Sequence, residues 1–464
     1  MYKKSVIYLV LFILSTICII SGLYNISIVL SLLSLIHFHN VNRKYYNGNT
    51  LIITNPIILL VPIFVFTQTL YWIIYLLITS NINLFGYEWE VFYMTNIKFL
   101  PLSYSKFLLL SYVYILALSL SYNKRSAAKK ELSNTFSKQY KLPENEIIYF
   151  ILFVFVILSI TYYIFGENLD LPFGISHILK ILGKLRLIFT SLIIMHLLSK
   201  KTILSSLYLL IFISSYVSLG VLSVIFTSMR MIFFEPLIVI AVLFFINKKN
   251  YILTLKRKIQ ILIFTGVCFL IFSLSTNLKF VDKKDSNINL TNTQKIMQSI
   301  DVFSFRSAGY ISDIIAYTNS SSRQLFDTKK HYIFSEIIYG VPLGSLFIPN
   351  KYKYKYSFDM EFHWTYDFGK SSDYISAPSA LLFTLGFPIT MILLFLIGSI
   401  QGSIFRYITV NLGNNLSWLC IHPLLIPFYM NGLSKSDLLG MIPYAFISYL
   451  VLKYLILKKE RNIA

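Results

Sequence analysis

The chain has 464 residues, of which 56% are hydrophobic and only 13% charged, with a formal net charge of +21. Soluble domains carry about a quarter charged residues, so this composition excludes an ordinary globular protein. The basic excess does not mark a nucleic-acid binder either, because lysine and arginine sit mostly in short loops between apolar runs, as membrane topology requires.

The first apolar run, Ser5 to Ile20, follows Lys3 and Lys4 and has no small-residue cleavage site after it, so it reads as an anchor rather than a signal peptide. About 20 apolar helical residues cross a hydrocarbon layer of roughly 30 Å. By that measure spans are predicted at 5–22, 24–38, 56–79, 106–122, 147–165, 179–198, 203–225, 228–246, 259–276, 379–400, 413–432 and 437–457. The expected fold is an all-α polytopic membrane protein of about twelve transmembrane helices. With the N-terminus inside, the inner loops hold Arg43 and Lys44, the group from Lys124 to Lys141, Lys200 and Lys201, the group from Lys248 to Lys258, Arg406, and the tail Lys458, Lys459 and Arg461. The short outer loops hold little beyond Lys98, Lys106 and Lys435. Both termini are therefore expected to be cytoplasmic. Residues 1–276 carry spans one to nine, 277–378 form one large extracytoplasmic loop between spans nine and ten, and 379–464 carry the last three spans and the tail. Cys18, Cys268 and Cys420 fall inside apolar runs without metal spacing, so neither a disulfide nor a zinc site is expected.

A charge inside a bilayer costs about 2.5–3.5 kcal/mol on insertion scales, which makes each one a functional candidate. The sixth span places Lys180, Lys184 and Arg186 in its outer half. His177, Lys180 and Lys184 share one side of that helix; Arg186 points away from them, toward a cavity, roughly 10 Å below a helix start near Leu179. The two lysines either snorkel to headgroups or bind substrate. The eighth span opens with Thr227, Ser228, Met229 and Arg230 at its outer end, where free amides and the helix dipole supplement a guanidinium in an anion site. A guanidinium fork matches phosphate oxygens in pairs. Glu235 does not share a side with Arg230 and is expected to pair with a cation on another helix, namely Arg186, either as a structural ion pair or as a general base.

The external segment mixes both signs of charge with apolar pieces at Ile314 to Tyr317, Ile337 to Pro342 and Leu346 to Pro349, which no flexible linker requires. As a helix, Asp301 to Tyr317 would align Phe303, Tyr310, Ile314 and Tyr317 on one side. Arg306 and Arg323 bring positive charge over the membrane surface. The run Lys351, Tyr352, Lys353, Tyr354, Lys355, Tyr356 would, as a strand, present lysines on one side and tyrosines on the other, suited to phosphates and sugars or simply to solvent. Glu361, His363, Asp367 and Asp373 cluster loosely, with no metal-ligand spacing.

Three stretches resemble the Wzy-type O-antigen and capsule repeat-unit polymerases, a family of multi-span bacterial membrane glycosyltransferases. They are Thr227 to Arg230; Ser304-Phe305-Arg306 through Tyr339-Gly340 to Phe347-Ile348-Pro349-Asn350-Lys351; and Ala377-Pro378-Ser379 leading into Leu385-Gly386-Phe387 and Ile397-Gly398. The order of spans and the late large loop match over most of the chain. The sequence departs from the family at Asn350, where an arginine is common, and in the uncharged stretch Ala380 to Leu385, where an acidic residue is common. The resemblance implies transfer of a growing chain from undecaprenyl pyrophosphate onto a new lipid-linked repeat unit, outside the bacterial cytoplasmic membrane and without a metal or other cofactor. It assigns Arg230, Arg186 and Arg306, with Arg323, to the departing pyrophosphate. Lys180, Lys184, Ser228 and Lys351 are assigned to substrate binding. Glu235, His363 and Asp373 remain alternative bases. Expected partners are lipid-linked oligosaccharides and the bilayer, and a chain-length regulator is left open. A related ligase would share the donor. A metal-using membrane glycosyltransferase would rely on Glu88 and Glu90 of an early outer loop, and a lipid-linked sugar flippase would use two related halves.

Overall fold

A computed structural model of the protein describes residues 2–45, 60–80, 100–122, 140–141, 145–165, 173–200, 203–227, 337–338, 341–347, 376–412, 435–456 and 458–459, with isolated positions including Glu235 and some near 291–300 and 417–425. The described chain is helical almost throughout. Its long elements are α1 (Tyr2–Ile20), α2 (Tyr24–Tyr45), α3 (Leu60–Thr79), α4 (Leu100–Tyr122), α5 (Glu146–Phe165), α6 (Phe173–Lys200), α7 (Ile203–Thr227), α8 (Ala377–Leu385), α9 (Phe387–Leu412) and α10 (Lys435–Leu450), which continues as a π-helical turn at Val451–Ile456. Among the described residues, four helices carry stretches long and apolar enough to cross a membrane: Tyr24–Val41, Tyr104–Tyr122, Leu204–Ser223 and Phe387–Leu412. Shorter apolar stretches occur at Val6–Ile20, Leu60–Ile74, Glu146–Tyr162, Leu185–Leu197 and Leu438–Tyr454.

These helices cover the predicted spans up to residue 225, as well as those at 379–400 and 437–457, with shifted ends. The span at 24–38 is longer than its apolar run, because α2 continues to Tyr45. The span at 379–400 is two helices, since Gly386 takes a left-handed φ of 75° and breaks α8 from α9. The spans at 228–246, 259–276 and 413–432 lie outside the described residues apart from single helical positions such as Glu235 and Cys420. Asp301 to Tyr317, Glu88, Glu90 and Cys268 lie outside them as well.

The chain divides into two compact units, each discontinuous in sequence: 1–132, 301–411 and 424–446 in one; 133–300, 412–423 and 447–464 in the other. In the first unit, α1 and α2 form a tight hairpin. Gly22 is left-handed (φ 76°), and the amides of Gly22 and Leu23 return to the carbonyls of Ile19 and Cys18, a Schellman cap that satisfies the last carbonyls of α1. Serines then join the arms. Ser15 Oγ lies 2.8 Å from Ser27 Oγ and 2.7 Å from Ser31 Oγ, and Ser34 Oγ donates to the Tyr8 carbonyl at 2.8 Å. Small hydroxyl residues let apolar helices approach closely and bond where hydrocarbon offers no partner.

The most enclosed element is α4, whose apolar stretch is 83% buried. It packs on α1, α2 and α8, and Ser34 of α2 reaches its Tyr112 hydroxyl at 3.0 Å. Against its other side α9 brings Gly398 and Gly402 almost onto the backbone of Tyr114 and Leu118. A Cβ on Gly402 would stand 2.2 Å from the Leu118 carbonyl oxygen, and one on Gly398 2.7 Å from that of Tyr114. The Tyr114 hydroxyl bonds Gln401, whose amide nitrogen donates to the Leu438 carbonyl at 2.6 Å and so ties in α10.

The second unit is built on α5, α6 and α7, all packed on one another. Phe153 meets Phe212, and Phe155 meets Phe189. At the end where α6 turns into α7, Tyr149 and His196 stack with centroids 3.6 Å apart, and Lys200 pairs with Glu146. A two-residue antiparallel ladder, β1 (Tyr140–Lys141) against β2 (Lys458–Lys459), binds the stretch before α5 to the C-terminal tail, with Tyr140 opposite Lys459.

Candidate functional site

Within the second unit, three polar side chains from distant parts of the sequence meet in an apolar setting. Arg186 is 7% exposed, Glu235 2% and Tyr216 0%. Arg186 Nε donates to Glu235 Oε2 at 2.8 Å, and its Nη2 donates to Oε1, a two-pronged fork. The Tyr216 hydroxyl donates to Oε2 as well. Thr190, one turn beyond Arg186, is buried beside the Tyr216 hydroxyl.

The sequence places these groups level with one another. Lys200 ends α6 and Ile203 starts α7, so the two helices form a hairpin. Counting from that turn, Arg186 lies fourteen residues back along α6 and Tyr216 thirteen residues forward along α7. At 1.5 Å per residue both stand about 20 Å from the turn. In a layer of roughly 30 Å that leaves about 10 Å to the opposite edge. The expected helix start is corrected: α6 begins at Phe173, not near Leu179, so its first turns extend past the apolar stretch. The depth of Arg186, measured from the Lys200 end, is unaffected.

The expected pairing of Glu235 with Arg186 is found. Lys180 and Lys184 lie on α6. Arg230, Ser228, Arg306, Arg323, Lys351, His363 and Asp373 lie outside the described residues. Tyr216 is the participant that sequence reasoning misses, because a tyrosine in an apolar run carries no charge to flag it. The signal available is symmetry: Arg186 and Tyr216 are mirror positions about the basic turn at Lys200 and Lys201.

Chemically, the cluster holds its charges in balance. An unpaired guanidinium or carboxylate buried here would be strongly destabilising, and the pair removes that penalty. Two of the hydrogen-bonding positions of Oε2 are taken, by Arg186 and Tyr216, so a proton from a substrate hydroxyl would have to reach Oε1. The arrangement suits Glu235 as the counter-ion that orients Arg186 better than as a base.

Fold and site together define a helical membrane protein with an ion-paired polar centre buried among apolar helices. Compared with protein-family models, with curated proteins and with solved structures, the chain finds no match.

Proposed function

We propose that the protein is a polysaccharide polymerase of the bacterial cytoplasmic membrane that joins lipid-linked oligosaccharide repeat units on the outer side. In this reading about twelve helices cross the bilayer and residues 277–378 form the external cap. The observation that carries the proposal is the convergence of Arg186 and Glu235, both charged residues of apolar segments, about 10 Å from the edge opposite a basic turn. By the distribution of positive charge that turn is cytoplasmic, which puts the guanidinium within reach of the outer headgroup region. The same end of the second unit gathers Lys141, Lys200, Lys458 and Lys459. The pairing of β1 with β2 supports an even number of crossings between residues 141 and 458, as twelve spans require.

In the reaction, the bond between the anomeric carbon of the growing chain and the carrier pyrophosphate breaks. A new glycosidic bond forms to a hydroxyl of the incoming unit, whose proton passes to a base. Pyrophosphate leaves on its lipid. Arg186, with Arg230 and Arg306, supplies preorganised positive charge for the leaving group, and Glu235 and Tyr216 hold Arg186 in place. His363 and Asp373 remain the candidate bases. No metal or other cofactor enters this scheme.

Reconstitution with a defined undecaprenyl-pyrophosphate-linked repeat unit tests it directly. Polymer made in the vesicles supports the assignment, whereas transfer only to a lipid A acceptor identifies a ligase and movement without bond formation a flippase. In cells, Arg230→Ala is expected to leave protein in the membrane and single repeat units on the surface. Normal long chains from that variant would remove Arg230 from the site.

A further inference from the structure

Between Ile337 and Asn350 the chain carries no charged residue, and its described part folds as a series of tight turns. The amides of Val341, Gly344, Leu346 and Phe347 donate to the carbonyls three residues back, at Ile338, Val341, Leu343 and Gly344, over 2.8 to 3.0 Å. Pro342 has no amide to satisfy. Four backbone donors are thus bonded within their own segment, which lowers the cost of entering a layer that offers no partner.

The side chains point the other way from what a water-facing turn needs. Ile337 is buried at 5% exposure, but Leu343, Leu346 and Phe347 are 48%, 53% and 75% exposed. Leu343 is held at φ 61°, the left-handed region that a glycine adopts far more easily, directly before the 3-10 turn Gly344–Leu346. Three large apolar side chains within five residues form a patch, not scattered surface residues. The sequence then passes into Lys351, Tyr352, Lys353, Tyr354, Lys355 and Tyr356. Tyrosine concentrates at the headgroup level of a bilayer, and clustered lysines near a membrane are drawn to anionic lipids.

We infer that the knuckle formed by Leu343, Leu346 and Phe347 is a membrane-surface anchor that dips into the headgroup–acyl boundary of the bilayer. The exposed leucine, leucine and phenylalanine enter the acyl side. The composition of the run that follows in sequence, alternating lysine and tyrosine, is that of a segment drawn to anionic headgroups. The anchor would hold the segment ahead of α8 against the membrane, whatever reaction the protein carries out.

The test uses the full chain in vesicles of phosphatidylcholine and phosphatidylglycerol. Phe347→Cys and, separately, Leu346→Cys are labelled with bimane, and the label taken up by the unmodified chain is subtracted. Lipids bearing a nitroxide high on the acyl chain are expected to quench both positions by at least half, while aqueous iodide quenches them far less than free dye. Iodide quenching near that of free dye at both positions would overturn the anchor. So would protection from iodide without lipid quenching, which would mean that protein covers the patch.

Discussion

Tyr216 donates its hydroxyl to Oε2 of Glu235, the same oxygen that receives Arg186 Nε. One carboxylate is thus gripped from two helices. The cluster so formed joins three side chains, of which only two carry charge.

Removing one member of that pair should cost more than removing both. Glu235→Met leaves a buried guanidinium unpaired, a loss of about 3–5 kcal/mol. Arg186→Met with Glu235→Met replaces the pair by apolar volume and should stay within about 1–2 kcal/mol of the parent. Thermal challenge in detergent followed by size-exclusion chromatography measures both. A single variant as stable as the double would show that Glu235 is not the counter-ion that keeps Arg186 buried. Under the proposed function the double variant, though folded, makes no long chains.

Tyr216→Phe keeps the volume and deletes one hydrogen bond to a charged group, worth about 1.5–3 kcal/mol. The protein should remain folded and monodisperse. Chain elongation in reconstituted vesicles should fall about tenfold, equivalent to about 1.4 kcal/mol on the barrier. Unchanged elongation would confine Tyr216 to packing.

Two glycines offer opposite outcomes for the same change. At Gly402 a methyl group would lie 2.2 Å from the Leu118 carbonyl oxygen, so Gly402→Ala must push α9 off α4, at about 1–3 kcal/mol for overpacking. At Gly183 it would lie 3.7 Å from Ser159 Oγ, ordinary contact, and Gly183→Ala should be neutral or stabilise α6 by up to about 1 kcal/mol. Melting temperatures of the two variants in detergent decide the point, and equal shifts would contradict the close α4–α9 approach.

The ladder between β1 and β2 predicts a cross-link. Tyr140→Cys with Lys459→Cys sets two thiols on directly opposed residues and should oxidise to a disulfide in isolated membranes. Each thiol should also react with an impermeant maleimide from the same side of the membrane. Labelling from opposite sides would break both the ladder and the topology inferred from charge.

Part of the site is legible in the linear chain. Arg186 and Glu235 stand out because a charge in an apolar run must find an opposite charge, and few are within the same run. Gly398 is different. Its neighbours suggest a family motif, whereas its place on α9 shows a steric reason, the near contact with the Tyr114 carbonyl. The break at Gly386 escapes a reading by hydropathy, because the apolar run continues through it and hydropathy does not register a change in backbone conformation.

Apolar run length was sufficient by itself to determine a helical chain with helices long and apolar enough to cross a membrane, since lipid leaves the backbone few other ways to satisfy its polar groups. Which helices touch was decided only in three dimensions. Apolar helices look alike to lipid, so pairing rests on small local features: the serines between α1 and α2, the glycines of α9 against α4, and the hydroxyl of Tyr216 on Glu235. Such features depend on which residue faces which across a gap, a relation that linear order does not contain.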